Sequence, residues 1–240
     1  MANDRILGVL GGMGPLASAQ FMARLTLLTP AECDQDHIPT VLWSDPRVPD
    51  RGQARQRNEH GADCALVRAL VRGLKGLEAA GCGAIAIPCN TAHGWIEEMR
   101  AATPLPILHI IDATAADLRR QGVPPGQTIG VLGTKATLDM RLYQDRLITA
   151  GWRCITPDGD EMAEYVTPAI ASVKANRVTE AYGPLAEAVT HLKDRGATAV
   201  VLGCTEIPLG IKAGPWQTLG VPVIDSIDAL ARASIAWARE

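Results

Sequence analysis

The sequence has little of what marks several common classes of protein. Only 4% of its 240 residues are aromatic, and the net charge is −3. A surface that binds nucleic acid through excess positive charge and stacked bases is therefore not expected. No apolar run approaches the length that a bilayer-spanning helix needs, and the first residues do not read as a signal peptide. We expect a protein of the cytoplasm with neither a nucleic-acid nor a membrane partner.

The cysteines do not follow a metal or disulfide pattern. Six are present, but no two are spaced as C-x-x-C, so neither a zinc ribbon nor a thioredoxin-type motif is predicted. In a reducing compartment these residues are expected to be free thiols. The five histidines also lack the spacing of metal ligands, so no metal site is predicted. The five tryptophans are scattered along the chain, and we expect them to serve in packing.

The chain alternates short apolar segments with longer segments of helical periodicity, which is typical of an α/β fold with parallel sheets. Strands are predicted at 5–10, 39–43, 84–87, 105–110, 129–132, 153–156, 199–202 and 222–224. Helices are predicted at 16–28, 61–80, 91–102, 111–120, 161–174, 180–195 and 225–239. In the second helix Leu66, Leu70, Leu74 and Leu77 form one apolar face.

The plan of the first half repeats in the second. Gly8 and Gly130 lie 122 positions apart in similar strands, and Cys89 and Cys204 lie 115 apart. Pro106 and Pro222 each precede a further apolar pair at an offset of 116. Three pairs in the same order indicate an internal duplication. We predict two similar three-layer α/β/α domains with mainly parallel four-stranded sheets, residues 1–106 plus 222–240 and residues 107–221, with the active site in the cleft between them.

The most informative stretches are the two that carry a cysteine after a buried strand, 88–93 and 203–206. A single such cysteine is often only a small apolar residue of the core. Two at equivalent repeat positions, each followed by hydroxyl or amide side chains, instead favour a role at the carboxyl end of a parallel strand, where open α/β sheets hold their sites. Cys33, Cys64, Cys82 and Cys154 have no repeat partner, and for them a structural role is expected.

Two further segments could recognise an anion. Gly11-Gly12-Met13-Gly14-Pro15 joins a strand to a helix without the spacing of a dinucleotide or Walker motif, so a carboxylate fits as well as a phosphate. A tight turn that needs glycine is the alternative. The loop 44–52 contains two prolines and two arginines, Arg47 and Arg51, which predicts a stiff loop. An arginine there can bind a carboxylate in bidentate fashion or lie solvated at the surface.

A pair of thiols on opposite sides of one carbon could remove a proton from one face and return one to the other. One member must then be a thiolate, which a nearby cation or helix N-terminus favours. Fixed donors must stabilise the carbanionic transition state, and Asn90, Thr91 and Thr205 are the nearest candidates. His93 and Glu206 are expected to orient or polarise the thiols.

Taken together, the glycine-rich turn, Pro49-Asp50-Arg51, 89–93, Gly133-Thr134 and 203–206 resemble the cofactor-independent aspartate/glutamate racemase family over nearly the whole chain. The resemblance implies racemisation of an amino acid, aspartate or glutamate first, without pyridoxal phosphate or metal. It implies that Cys89 and Cys204 are the acid/base pair. It further implies that the substrate α-carboxylate and ammonium are held by Met13, Gly14, Asn90, Thr91, Thr134 and Thr205. Arg51 matches a family arginine that contacts substrate, and Lys174 matches a lysine that aspartate racemases use for the side-chain carboxylate.

One departure and several alternatives stay open. Lys174-Ala175-Asn176 stands where family members often have Lys-Ala-Gly. Some relatives have Thr in place of the first cysteine, but this chain keeps both, which favours a reversible racemase. A broad-specificity racemase, a hydantoin racemase, a maleate isomerase and an arylmalonate decarboxylase are alternatives within the superfamily. A non-catalytic protein that binds small carboxylates is the alternative of another class. The resemblance also implies a homodimer.

Overall fold

The computed structural model describes residues 5–240. Eight short strands alternate with helices along that range. The strands are β1 (Leu7–Gly11), β2 (Thr40–Ser44), β3 (Ala84–Ala86), β4 (Ile107–Leu108), β5 (Thr128–Leu132), β6 (Arg153–Ile155), β7 (Ala199–Leu202) and β8 (Val223–Asp225). The α-helices are α1 (Pro15–Leu28), α2 (Arg51–Gln56), α3 (Ala65–Ala79), α4 (Ile96–Ala102), α5 (Ile110–Arg120), α6 (Lys135–Asp139), α7 (Leu142–Thr149), α8 (Gly159–Glu161), α9 (Thr167–Lys174), α10 (Tyr182–Asp194), α11 (Ile207–Ile211) and α12 (Ser226–Ala238). Short 3₁₀ helices cover Asp34–Asp36, Thr91–Trp95, Val178–Ala181 and Trp216–Thr218, and a π-helical turn covers Met162–Val166.

The strands form two four-stranded sheets, and every strand pair is parallel. Their orders are β2-β1-β3-β4 and β6-β5-β7-β8, so the second sheet repeats the first with each strand number raised by four. Gly8 lies opposite Ile85 in the first sheet, and Gly130 lies opposite Val200 in the second. This shared order and register confirm the predicted α/β fold and its internal duplication.

The chain divides into two compact units, and the division follows the strands. One unit runs to Ala113 and includes Ile227–Glu240, and the other is Thr114–Ser226. The boundaries predicted at 106/107 and 221/222 would have placed β4 and β8 outside their own sheets. Because β4 pairs with β3 and β8 pairs with β7, each strand belongs to the same unit as the rest of its sheet. The chain passes from one unit to the other a few residues after each of these strands.

The central strands and their covering helices form because their apolar residues are shielded on both sides. All residues of β3 and β7 are buried, as expected for parallel strands covered on both faces. The leucine face predicted for α3 is confirmed, since Leu66, Leu70, Leu74 and Leu77 have no exposed surface. The helices α3 and α10 are followed by glycines, Gly81 and Gly196, whose φ angles of 80° and 91° are left-handed.

Three of the tryptophans make packing contacts, and one of them accounts for a glycine within α3. A Cβ at Gly76 would lie 2.4 Å from the Trp43 ring, so α3 can approach β2 only because this position lacks a side chain. The indole of Trp95 is fully buried and donates to the Glu59 carbonyl, and that of Trp152 donates to the Pro124 carbonyl. These contacts agree with the packing role predicted for the tryptophans.

Several elements differ from the sequence prediction. The stiff loop predicted at 44–52 leads directly into α2, whose first turn is capped by the Asp50 carboxylate accepting from the Gln53 N–H. The helix predicted at 91–102 begins as a 3₁₀ turn and becomes α-helical only at Ile96. Across residues 5–240 no helix is both long enough and apolar enough to cross a bilayer.

Candidate functional site

In the first unit, two predicted site loops leave adjacent strands at the same edge of the sheet. After β1 the chain forms β2 on one side and then β3 on the other, so the sheet order reverses between β1 and β3. The crevice at such a switch point, beyond the carboxyl ends of the strands, is where open α/β sheets bind ligands. Met13 and Gly14 follow β1 and Cys89 follows β3, so the topology brings both loops to this crevice.

The glycine-rich turn after β1 is held by its neighbours in a fixed conformation. Gly12 has a φ of 89°, and a Cβ there would lie 2.4 Å from the Asp45 carbonyl oxygen, so only glycine fits. The buried Ser18 hydroxyl accepts from the Gly12 N–H at 2.9 Å and donates to the Gly14 carbonyl at 2.8 Å. The turn therefore does need glycine backbone angles, as the alternative interpretation of this motif stated, and Ser18 and Asp45 are parts of it that the sequence did not reveal.

The Asp45 carboxylate anchors the loop that faces this turn. It accepts hydrogen bonds from the Arg47 backbone N–H at 3.0 Å and from the Arg47 guanidinium at 2.8 and 3.0 Å. Arg72 lies 3.5 Å away on α3. The Arg47 guanidinium and N–H hold the pKa of the Asp45 carboxyl at about 2, below its ordinary 3.8. Arg47 is accordingly a loop residue that pairs with Asp45.

Arg51 connects the two loops of the first unit. Its guanidinium donates to the carbonyl oxygens of Met13 at 3.2 Å, Pro49 at 3.1 Å and Val48 at 3.5 Å. Its buried Nε has no partner among the described residues. The arginine predicted to contact substrate thus also holds the Met13 backbone in place.

The Cys89 loop is buried and is fixed by His93. Cys89 is 4% exposed, and Asn90 and Thr91 beside it are also buried. The His93 ring is 1% exposed, with Nδ1 2.9 Å from the Cys89 carbonyl oxygen and Nε2 accepting from the Ile110 N–H at 3.3 Å. Because Nε2 is the acceptor, we assign the hydrogen to Nδ1, which donates to the carbonyl. His93 therefore orients the Cys89 backbone through the carbonyl oxygen.

A second buried histidine completes this arrangement. His109 packs against His93 with ring centroids 4.5 Å apart, and its Nδ1 accepts from the Ile111 N–H at 3.3 Å. The two imidazoles therefore satisfy the first two N–H groups of α5, which have no acceptor within the helix. This pairing could not be predicted from the sequence, because His93 and His109 lie 16 positions apart in different elements.

The second unit places its loops in the same way. Leu132 at the end of β5 lies opposite Leu202 at the end of β7, and Thr134 and Cys204 each follow two residues later. The Thr134 hydroxyl caps α6 by accepting from the Thr137 N–H at 3.2 Å and lies 2.9 Å from the Thr137 hydroxyl. Cys204 is 4% exposed, as Cys89 is.

The Cys204 thiol is hydrogen-bonded to a carboxylate. Its Sγ donates to Glu206 Oε2 at 3.0 Å, and the Thr205 hydroxyl donates to the same oxygen at 3.3 Å. Burial raises the pKa of the Cys204 thiol well above its ordinary 9.0, and the Glu206 carboxylate raises it further. The ammonium of Lys174, at the end of α9, acts in the opposite direction on the same pKa. The structure thus brings Cys204 and Glu206 into contact, and the charge of Lys174 acts on the same thiol.

Tyr143 is a neighbour of Cys204 that sequence reasoning missed. A Cβ at Gly203 would lie 2.7 Å from the Tyr143 ring, so the ring packs directly on the backbone before Cys204. The fully buried hydroxyl lies 3.3 Å from that of Thr114, and burial raises its pKa above the ordinary 10.0. Below the loop, Ser226 donates to the Leu202 carbonyl at 2.8 Å.

The remaining cysteines have other surroundings. Cys33 is exposed, whereas Cys64 and Cys82 are buried and Cys154 is half-buried; all are free thiols. Burial raises the pKa of Cys82 and brings that of Cys154 to about 12. Within residues 5–240 no group of three or more His, Cys, Asp or Glu side chains is arranged to hold a metal ion.

Comparison with known proteins places the chain in a family. The sequence profile described as Asp/Glu/Hydantoin racemase matches residues 10–234. The chain belongs to this family. The predicted resemblance to racemases is therefore confirmed at the level of the family, and both cysteine loops lie inside the matched range.

Individual members of the racemase family match over nearly the full length of the chain. The broad specificity amino-acid racemase RacX of Bacillus subtilis (strain 168) is 27% identical over 235 residues, which cover 96% of this chain and 97% of that protein. The structure of Picrophilus torridus aspartate racemase is 35% identical with a TM-score of 0.84, covering 98% of this chain and 94% of that one. The Francisella tularensis glutamate racemase in complex with D-glutamate shares the fold, with a TM-score of 0.70 and 18% identity. The match covers 99% of this chain and 81% of that one.

Proposed function

We propose that the protein is an amino-acid racemase that uses Cys89 and Cys204 as a thiol and thiolate pair, without pyridoxal phosphate or metal. One sulfur removes the α-proton of the substrate, and the other delivers a proton to the opposite face of the carbon. The enantiomer with the opposite configuration follows from inversion at that carbon. The likeness to aspartate, glutamate and broad-specificity amino-acid racemases supports this reaction.

The observation that carries the proposal is the equivalence of the two cysteine loops. Each cysteine stands four residues after the residue that pairs with the repeat glycine, Ile85 opposite Gly8 and Val200 opposite Gly130. Both are equally buried. A thiol retained in the core only as a small apolar residue has no reason to recur at the same register, whereas an acid/base pair requires two equivalent groups.

The substrate backbone is held, in this proposal, by groups on the same loops. Met13, Gly14, Asn90, Thr91, Thr134 and Thr205 contribute N–H, amide and hydroxyl donors to the α-carboxylate and acceptors to the ammonium. Fixed donors of this kind stabilise the negative charge that develops as the α-proton leaves. His93 and Glu206 position the two cysteines, and Arg51 fixes Met13.

Aspartate, or its longer homologue glutamate, is the first candidate substrate. The Lys174 ammonium is close enough to Cys204 to lower the pKa of that thiol, and a cation near the reacting centre suits a side-chain carboxylate. The guanidinium of Arg51 already donates to three carbonyl oxygens, so it is less available to bind a side-chain carboxylate. A broad-specificity racemase is therefore the second candidate. In the first case, Lys174 is the principal group that selects an acidic side chain.

The reaction is tested by incubating the purified protein with a panel of single L- and D-amino acids in deuterated water, without added cofactor. Loss of the α-proton signal together with appearance of the opposite enantiomer on a chiral column is expected, with aspartate first. Cys89→Ser and Cys204→Ser should each abolish net racemisation. Binding without exchange would indicate a carboxylate-binding protein and contradict the proposal, as would turnover only of a hydantoin, maleate or an arylmalonate.

Lys174→Met separates the two candidate substrates. If Lys174 binds the side-chain carboxylate, the KM for aspartate should rise by about tenfold or more, since a charge-assisted hydrogen bond contributes about 1.5–3 kcal/mol. The KM for alanine, which has no side-chain carboxylate, serves as the internal control and should change little. Equal changes for both amino acids would exclude this role of Lys174.

We further propose that the racemase acts in the cytoplasm, as the sequence composition favours, and is a homodimer, as the resemblance implies. An open, largely apolar groove of about 620 Å³ between α3 and α4 supports a docking surface for a second copy. Arg68 and Arg72 border it on α3 and Glu98 on α4, so a second copy related by a two-fold axis would meet charges of both signs around an apolar centre. Val71→Glu in this groove should shift the mass measured by light scattering toward the monomer. Ile148→Glu, at a side chain 53% exposed elsewhere, is the control that should leave the mass unchanged.

A further inference from the structure

The two cysteine loops are equivalent in register but differ in one chemical respect. Two positions after Cys204 stands the carboxylate Glu206, whereas two positions after Cys89 stands Thr91. In the structure this difference becomes a direct contact, because Cys204 Sγ donates to Glu206 Oε2 at 3.0 Å. The side chain of Glu206 is itself buried, and its other oxygen, Oε1, has no hydrogen-bond partner among the described residues.

We propose that Glu206 holds Cys204 in its thiol form before substrate binds, so that the resting enzyme has Cys204 as the proton donor and Cys89 as the thiolate base. This state acts on the enantiomer whose α-proton faces Cys89, and the opposite enantiomer reacts from the state in which the two protonations are exchanged. This inference rests on the proposed racemisation and assigns each sulfur its starting role. Glu206 acts through Cys204 and is a positioning residue.

Intrinsic acidities decide where the shared proton lies. A carboxyl ordinarily titrates near 4.3 and a thiol near 8.5, so the proton between them belongs to sulfur and the oxygen accepts. A thiolate at Cys204 would instead place two negative charges 3.0 Å apart. Even in bulk water such a pair changes the proton affinity about tenfold, and the effect grows when water is excluded.

Other charged groups around Cys204 do not reverse this balance. Lys174 at the end of α9 lowers the pKa of the thiol, but burial and Glu206 contribute the larger effects and raise it. Tyr143 on α7 is neutral, because burial raises its pKa above 10.0. Asp225 at the end of β8 forms an ion pair with Lys212.

The proton balance of a cycle follows from this starting state. The Cys89 thiolate takes the α-proton and becomes a thiol, and the electron pair of the broken C–H bond stays on the substrate. The Cys204 thiol then gives its proton to the opposite face, the new C–H bond forms, and Cys204 is left as a thiolate beside Glu206. The resting enzyme is restored when water takes a proton from Cys89 and gives one to Cys204.

The test measures thiol reactivity and needs no substrate. The protein is treated with iodoacetamide across a pH series, and alkylation of each cysteine is followed by peptide mass spectrometry. Since Cys89 and Cys204 are both 4% exposed, a difference in rate reports their thiolate fractions. Cys89 is expected to react first in the unsubstituted protein, and reaction of Cys204 first would overturn the inference.

Glu206→Gln supplies the decisive variant, because it removes the charge and keeps the shape. Alkylation of Cys204 should become at least about tenfold faster at pH 7.5, whereas an unchanged or slower rate would overturn the inference. The matched control is Glu59→Gln, which removes a carboxylate 3.9 Å from another buried thiol, Cys64, and should leave the Cys204 rate unchanged. If Glu206→Gln does not fold, the order of the two rates in the unsubstituted protein decides. A protein that racemises no amino acid but shows these rates would refute the proposed function and leave the assignment of the thiols standing.

Discussion

Replacing Gly203 with alanine should lower the stability of the second unit and displace Cys204. Gly203 joins β7 to Cys204, and a Cβ there would lie 2.7 Å from Tyr143 Cε2 and 2.9 Å from the Leu132 carbonyl oxygen. Non-bonded carbon atoms normally approach to about 3.5–4.0 Å. The Leu132 oxygen cannot yield easily, because it belongs to the sheet and accepts the Gly203 N–H at 2.6 Å.

The magnitude follows from the cost of overpacking. Inserting a methyl group into a filled site typically costs about 1–3 kcal/mol, and the two simultaneous clashes place Gly203→Ala at the upper end, about 2–3 kcal/mol. For a unit of roughly one hundred residues, each kcal/mol lowers Tm by about 4 °C, so a fall of roughly 8–12 °C is expected. Displacement of Cys204 by as little as 1 Å could also reduce kcat by about a hundredfold.

Scanning calorimetry and kcat for the proposed racemisation would measure both effects. Gly133→Ala is the matched control, because its nearest neighbour, the Gly203 carbonyl oxygen, is 3.3 Å from the added Cβ and the next two contacts are at 3.5 Å. Its Tm should fall clearly less. If Gly203→Ala unfolds at the temperature of the unsubstituted protein and keeps its kcat, the packing argument is refuted.

Three other substitutions test separate parts of the structure. Asp45, whose carboxyl pKa is lowered from 3.8 to about 2 by Arg47, contributes stability that is present above pH 4 and lost as the pH falls through about 2. In Asp45→Asn, Tm should therefore fall less steeply as the pH is lowered through this range than it does in the unsubstituted protein. The same slope in both proteins would contradict this. His93→Leu removes the ring that hydrogen-bonds to the buried Cys89 carbonyl and the Ile110 N–H. It should cost about 1–3 kcal/mol for each group in urea unfolding, and a loss below 1 kcal/mol in total would argue against the cap. Leu70→Ala, at a fully buried position of α3, should cost about 2–5 kcal/mol, and a cost typical of surface sites would show that α3 is not packed as described.

The parts of the fold that the sequence predicted are those with strong periodicity. The leucine face of α3 and the wholly apolar strands β3 and β7 each follow from a single local pattern. Short polar elements were missed for the opposite reason. In α2 only Ala54 is buried, so no apolar stripe marks the helix. In β4 the apolar run suggested six residues, but the strand keeps only two, because α5 begins at Ile110.

The sequence could predict candidate site residues but not their contacts. The spacing of the repeats singled out Cys89 and Cys204 as equivalent positions, and the register of the two sheets agrees with that equivalence. The hydrogen bond from Cys204 to Glu206 depends on side-chain rotamers, and the contact of Tyr143 with Gly203 depends on the packing of α7. Neither contact can be inferred from the spacing of residues in the sequence. Arg51 shows the same limit, because its bonds to three carbonyls follow from the fold of two loops.

The two imidazoles that pack together at the start of α5 have a consequence for proton transfer. Both ring nitrogens of His93 are engaged with the backbone, one by the Cys89 carbonyl and one by the Ile110 N–H. A histidine beside a reactive sulfur would ordinarily be the obvious relay to bulk solvent, but this ring can release or capture a proton only by abandoning a main-chain partner. In the proposed mechanism, the proton that Cys89 takes from the substrate therefore passes to water without this ring as its relay, and a solvent isotope effect on the return step would reveal that route.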